Sequence, residues 1–90
     1  MANSEQVKII KGGFTAWNEW RKLHPEEEID LSWEILSGLN LVETNLVEAN
    51  LKGARLTSAN LIEANLTRAN LMQAYLDDAL LLRANQTEAN

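Results

Sequence analysis

The sequence predicts an all-β solenoid of short parallel strands with a helical segment at its N-terminal end, and three observations carry that prediction. A leucine returns every fifth residue from Leu31 to Leu81 without a slip. Alanine recurs two positions before that register from Ala49 through Ala89. Residues 1–28 have a different texture, with Gly12 and Gly13 side by side and the only proline at Pro25.

The five-residue period decides the solenoid. On an α-helix, five residues advance a side chain by roughly 140°, so successive leucines spiral around the cylinder and leave no apolar stripe to bury. On a straight strand, a step of five sends consecutive leucines to opposite faces. A chain that turns after every pentapeptide satisfies the pattern: each Leu and the small residue two before it point to a common axis, and the intervening positions face water.

Across residues 44–85 the repeat reads TNLVEANLKGARLTSANLIEANLTRANLMQAYLDDALLLRAN, a run of A-N-L-x-x units. In this it resembles the pentapeptide-repeat family. The resemblance implies a right-handed quadrilateral parallel β-helix with four pentapeptides per turn, hence about three coils over residues 29–90, preceded by a short α-helical N-terminal cap over residues 1–28, the two forming a single domain. It assigns the central Leu and the Ala two before it to inward positions and the Asn before the Leu to an outward one. Departures are expected to mark irregular early turns and an end. Glu34 and Leu39 replace the small inward residue, with Thr44 a near-substitute, and Arg55, Tyr75 and Leu80 replace the outward Asn. Gln86 takes the place of a central Leu and is expected to put a polar group at the axis of the last face.

In residues 1–28, Ser4 is expected to cap a short helix through Gln6, Val7, Ile9 and Ile10 that Gly12 and Gly13 end. A second helix fits residues 14–24, with Phe14, Trp17, Trp20 and Leu23 on one face. The open end of the solenoid is the partner that face needs, because a repeat array exposes its core at each terminus unless something covers it. Trp17 and Trp20 are accordingly read as core, and Glu26, Glu27 and Glu28 as a solvated linker.

Composition bounds the function. Ninety residues with a net charge of -5 and no cysteine leave room for one small domain and exclude disulfide and thiol chemistry. No run approaches the roughly 18 to 20 apolar residues of a membrane span. The start, MANSEQVKII, lacks a basic region followed by a long apolar core, so the cytoplasm is the expected location. His24 is the only histidine, and there is no Gly-rich phosphate loop or metal-ligand spacing. Asp77 and Asp78 are adjacent carboxylates in a turn that project differently. No catalytic residue, cofactor or metal is therefore expected.

Stacking the chain at a lag of twenty, the number the resemblance supplies, sorts the outward positions into columns. Val42, Ile62 and Leu82 form a wholly apolar column with Leu80 beside it, whereas Val47, Thr67, Thr87, then Ser32, Lys52, Met72, and Ser37, Thr57, Asp77 are mixed or polar. Glu48, Arg68 and Glu88 alternate in sign, and Arg55 falls over Tyr75 as a cation-π pair. The apolar column reads either as strand-favouring aliphatics or as a partner-binding face made of Val42, Ile62, Leu80 and Leu82. A second candidate is the far end, where Leu76, Leu81 and Gln86 are expected to meet another copy in a homodimer through the C-terminal coil, or a further repeat segment. The expected function is a non-enzymatic scaffold or protein-interaction module whose partner the sequence does not name. The alternative, implied by the family, is a DNA mimic that modulates a type II topoisomerase. Residues 29–90 carry eight acids and four bases, a net of -4, against ~9 phosphates over the same ~15 Å of duplex. That is thin mimicry. Nucleic-acid binding itself is not expected of an acidic chain without a basic stripe.

Overall fold

The computed structural model describes residues 2–90. Two short helices, α1 (Ser4–Lys11) and α2 (Phe14–Leu23), precede the coil. Asn3, rather than Ser4, caps α1: its extended backbone and its side-chain oxygen, which accepts from the Gln6 N–H at 3.1 Å, leave Ser4 already inside the helix. Gly12 ends α1, and Gly13, at φ 111°, turns the chain directly into α2.

In α2, Trp17 is fully buried, but Leu23 is 76% exposed and Arg21 is buried in its place. The cause is helical pitch. A step of three falls short of a full turn by about 60° each time, so Leu23 lies ~120° from Trp17 while Arg21 lies only ~40° away. Arg21 donates to the carbonyls of His24 and Glu27, which folds the segment after the helix back over it.

From residue 30 onward, parallel bridges join residue i to residue i+20, from Asp30 with Asn50 through Asn65 with Asn85. Each pentapeptide contributes a single bridge residue instead of a continuous strand, because the chain turns again three residues later. Four such residues, Asp30, Ile35, Asn40 and Asn45, precede the return to Asn50, so a coil has four sides, named below by these residues. At every corner from Thr44 onward an inward residue's N–H donates to the carbonyl three residues before, as Ala59 does to Leu56 at 3.0 Å. The second of the two residues between them sits at φ near +60°, as at Glu63 (62°) and Asp78 (60°).

The axis is dry through the middle of the array. Leu41, Leu46, Leu51, Leu56, Leu61 and Leu66 are 0% exposed, as are Ala49 to Ala69 at every fifth position. The outward Asn has a structural task as well. Its side-chain oxygen accepts the N–H two residues on, as Asn50 does from Lys52 (3.1 Å) and Asn70 from Met72 (3.0 Å), so a turn N–H that the ladder leaves free finds a partner. Asp30 does the same for Ser32 at 3.0 Å.

The helices close the first coil with side chains, not strands. Gln6 donates to the Glu28 carbonyl and accepts from the Asp30 N–H, both at 2.8 Å. Trp17 Nε1 donates to the Asn45 carbonyl at 2.8 Å, and Asn18 both accepts from the Asn45 N–H and donates to the Glu43 carbonyl. Backbone groups that a preceding coil would satisfy are thereby paired at the Asp30 and Asn45 sides. Ile10 and Trp17 are buried in the same core as Leu31, Leu36, Leu41 and Leu46 of the first coil.

Candidate interaction surfaces

Val42, Ile62 and Leu82 stack as expected, since the N–H groups of Glu43 and Glu63 donate to the carbonyls of Ile62 and Leu82. They occupy a corner rather than a flat face, because the residue after each central Leu enters the turn. Leu80 lies on the adjoining Asn40 side, where it pairs with Asn60. Val42 and Ile62 are half-buried, while Leu80 is 52% and Leu82 62% exposed. The exposed apolar surface is thus concentrated at the C-terminal level of the column.

Charged columns pair internally. Arg68 bridges Glu48 at 3.3 Å and Glu88 at 3.6 Å, Arg83 pairs with Glu63 at 3.1 Å, and the Arg55 guanidinium sits 5.4 Å from the Tyr75 ring centre. All of these are solvent-facing, so each is worth little alone. Burial pushes the Asp30 carboxyl up, but the hydrogen bonds from the Ser32 hydroxyl (2.6 Å) and N–H outweigh it, and the group is held below its ordinary value.

Toward the last turn the axis opens. Leu71 is 8% exposed, Leu76 and Leu81 are half-buried, and Gln86 is exposed.

Two features escaped the reading of the sequence. Trp33 sets its indole against Gly53 one level below, where a Cβ on residue 53 would overlap the ring. Trp33 and Ile35 remain 58% and 60% exposed. Stacking Trp33 over Gly53 at the lag of twenty would have found this contact. The second is a cavity of about 620 Å³ between the linker and the coil, lined by Arg21, Glu26, Glu27, Glu28, Asp30 and Glu48 among others. Buried Arg21 keeps its Nε without a partner there. Among the described residues there is no cluster of His, Cys, Asp or Glu able to hold a metal ion, and no helix is long and apolar enough to cross a membrane.

A family model described as pentapeptide repeats matches residues 35–73 in eight copies. No curated protein matches the chain. Among solved structures, a pentapeptide repeat protein from the Arabidopsis thaliana thylakoid lumen is 33% identical with a TM-score of 0.66, over 68% of this chain and 42% of that one. A pentapeptide repeat protein from the cyanobacterium Cyanothece 51142 is 35% identical with a TM-score of 0.64, over 70% of this chain and 41% of that one. The chain thus spans less than half the length of either. Likeness to these structures implies the right-handed quadrilateral β-helix for the coil.

Proposed function

Because its coil is made of pentapeptide repeats, the chain belongs with the pentapeptide-repeat proteins, and we propose that it is a non-enzymatic protein-interaction module of the cytoplasm. The observation that carries this is the exposed apolar pair Leu80 and Leu82, continued upward by Val42 and Ile62. Contiguous apolar surface on a small acidic protein favours a protein partner over a charged ligand. Leu76, Leu81 and Gln86 offer a second contact, through which another copy or a further repeat segment covers the half-open axis. Topoisomerase modulation by DNA mimicry is not adopted, because Arg68 and Arg83 neutralise the acidic columns that would have to imitate phosphates.

The test compares proteins retained from source-cell lysate by the wild type and by Leu82→Lys. A partner lost with Leu82→Lys at unchanged thermal midpoint supports the surface, and a partner held equally by both removes it. A gyrase supercoiling assay run alongside addresses the mimicry, and sedimentation at several concentrations addresses self-association.

A further inference from the structure

The side next to the corner diagonally opposite Leu82 breaks a rule that the other sides obey at most levels. The Asp30 and Asn45 sides carry Asp or Asn at all three levels, and the Asn40 side at two. The Ile35 side carries none: Ile35, Arg55 and Tyr75 stand there instead, so the N–H groups of Ser37, Thr57 and Asp77 forgo the side-chain acceptor that stabilises the other turns. What replaces it faces solvent. Ile35 and Tyr75 are 60% and 52% exposed, and on the corner beside them Trp33 and Met72 are 58% and 53% exposed.

Charge singles out the same corner. Of the four bases in residues 29–90, Arg68 and Arg83 are held in ion pairs. Among the described residues Lys52 and Arg55 are in none. They flank Gly53, and therefore the indole that lies upon it. Down the axis the exposed side chains read apolar at the first level (Ile35), cationic at the second (Lys52 and Arg55, with the Trp33 indole reaching down between them onto Gly53) and apolar at the third (Met72, Tyr75).

The geometry points to a docking site for an acidic peptide segment of a partner protein, in polyproline II conformation, with two apolar residues three apart and two carboxylates between them. Levels of a parallel coil are roughly 4.8 Å apart, so the two apolar levels are separated by ~9.6 Å. Three residues of polyproline II rise ~9.3 Å and return a side chain to the same edge. The first apolar residue then rests on Ile35, against the edge of the Trp33 indole, and the second between Met72 and Tyr75. The two intervening side chains splay to opposite sides, one toward Lys52 and the other toward Arg55. Charge complementarity selects carboxylates at those positions, since neither cation has a carboxylate partner among the described residues and Arg55 meets only the Tyr75 ring. The site is independent of Leu80 and Leu82.

The test titrates the full, isotopically labelled chain with a synthetic Pro-Leu-Glu-Glu-Phe-Pro peptide and with its Gln-Gln counterpart, following the tryptophan indole N–H resonances, with that of Trp33 identified by Trp33→Phe. The acidic peptide is expected to move the Trp33 resonance and not that of buried Trp17, with affinity falling as salt rises. Replacing Glu-Glu by Gln-Gln, or using Lys52→Glu with Arg55→Glu, is expected to weaken binding by about tenfold or more at unchanged thermal midpoint. A Trp33 resonance that ignores the acidic peptide overturns the proposal. So does equal affinity for both peptides, or for the wild type and the charge-reversed variant. Single-stranded oligothymidylate displacing the peptide from Trp33 also overturns it, in favour of a nucleic-acid ligand.

Discussion

The two ends of the coil are built from the same repeat and are covered very differently. Leu31, at the first level, is as dry as Leu61 in the middle, whereas Leu76 and Leu81, identical in register, are half-buried. The repeat supplies only a ring of inward side chains, and each ring is sealed by whatever lies above and below it. At the first level that is Ile10 and Trp17, with Gln6, Asn3 and Asn18 pairing the strand edge. The worth of a central leucine is therefore set by its level, not by the motif it belongs to.

Substitution along the axis should expose this gradient most strongly. Leu61→Asp buries an unpaired carboxylate and is expected to abolish the folded state or cost several kcal/mol, whereas Leu81→Asp lets the carboxylate reach water and costs far less. Chemical denaturation of both variants checks it, and equal loss would show that the last turn is sealed in solution.

Next in size is the cap. Trp17→Ala removes a fully buried ring and its bond to the Asn45 carbonyl, with an expected loss of roughly 3–5 kcal/mol. If the denaturation midpoint hardly moved, the helices would not be what seals the first level.

Smaller effects belong to the outward positions. Asn65→Ala strips the Thr67 N–H and hydroxyl of their acceptor and should cost about 1 kcal/mol. Asn60→Asp should be nearly silent, since Asp30 already fills that role. Equal damage from Asn60→Asp and Asn65→Ala, read from thermal midpoints, would remove the turn bond as the reason for asparagine.

The smallest effect is a pH dependence. Asp30 is held below its ordinary value in the folded chain, so the stability it adds is present above about pH 3.9 and is lost as pH falls through the lower folded value. Ser32→Ala should shrink that acid-side loss, and midpoints measured between about pH 6 and pH 2 compare the two chains.

Much of this was legible in the sequence because a period of five fixes which residues meet the axis, and a lag of twenty then fixes which outward residues stack. Glu48, Arg68 and Glu88, and Arg55 over Tyr75, follow from that arithmetic. The helical segment was harder. Three-residue spacing put Leu23 on the inner face, but only pitch tells that Arg21 follows Trp17 inward. A choice of cap between Asn3 and Ser4 turns on one residue's backbone angles, which neighbouring polar side chains do not reveal. The corner at Trp33 was missed because its meaning lies in a missing side chain: Gly53 is where the ring finds room.

The lag of twenty also governs how such a chain can acquire its structure. Leu41 N–H reaches the Asn60 carbonyl nineteen residues on, and Asn60 N–H reaches back twenty-one to Leu39. No ladder bond forms until a whole circuit has been laid down, so the entropy of closing that circuit falls due before any contact repays it. A second circuit laid on a first meets a finished template, and the first meets α1 and α2. The helices, made from local contacts and emerging ahead of the coil during synthesis, offer it a platform. Winding should therefore start at Asp30 and advance level by level, with Trp17 variants slowing folding and Leu76 or Leu81 variants chiefly hastening unwinding.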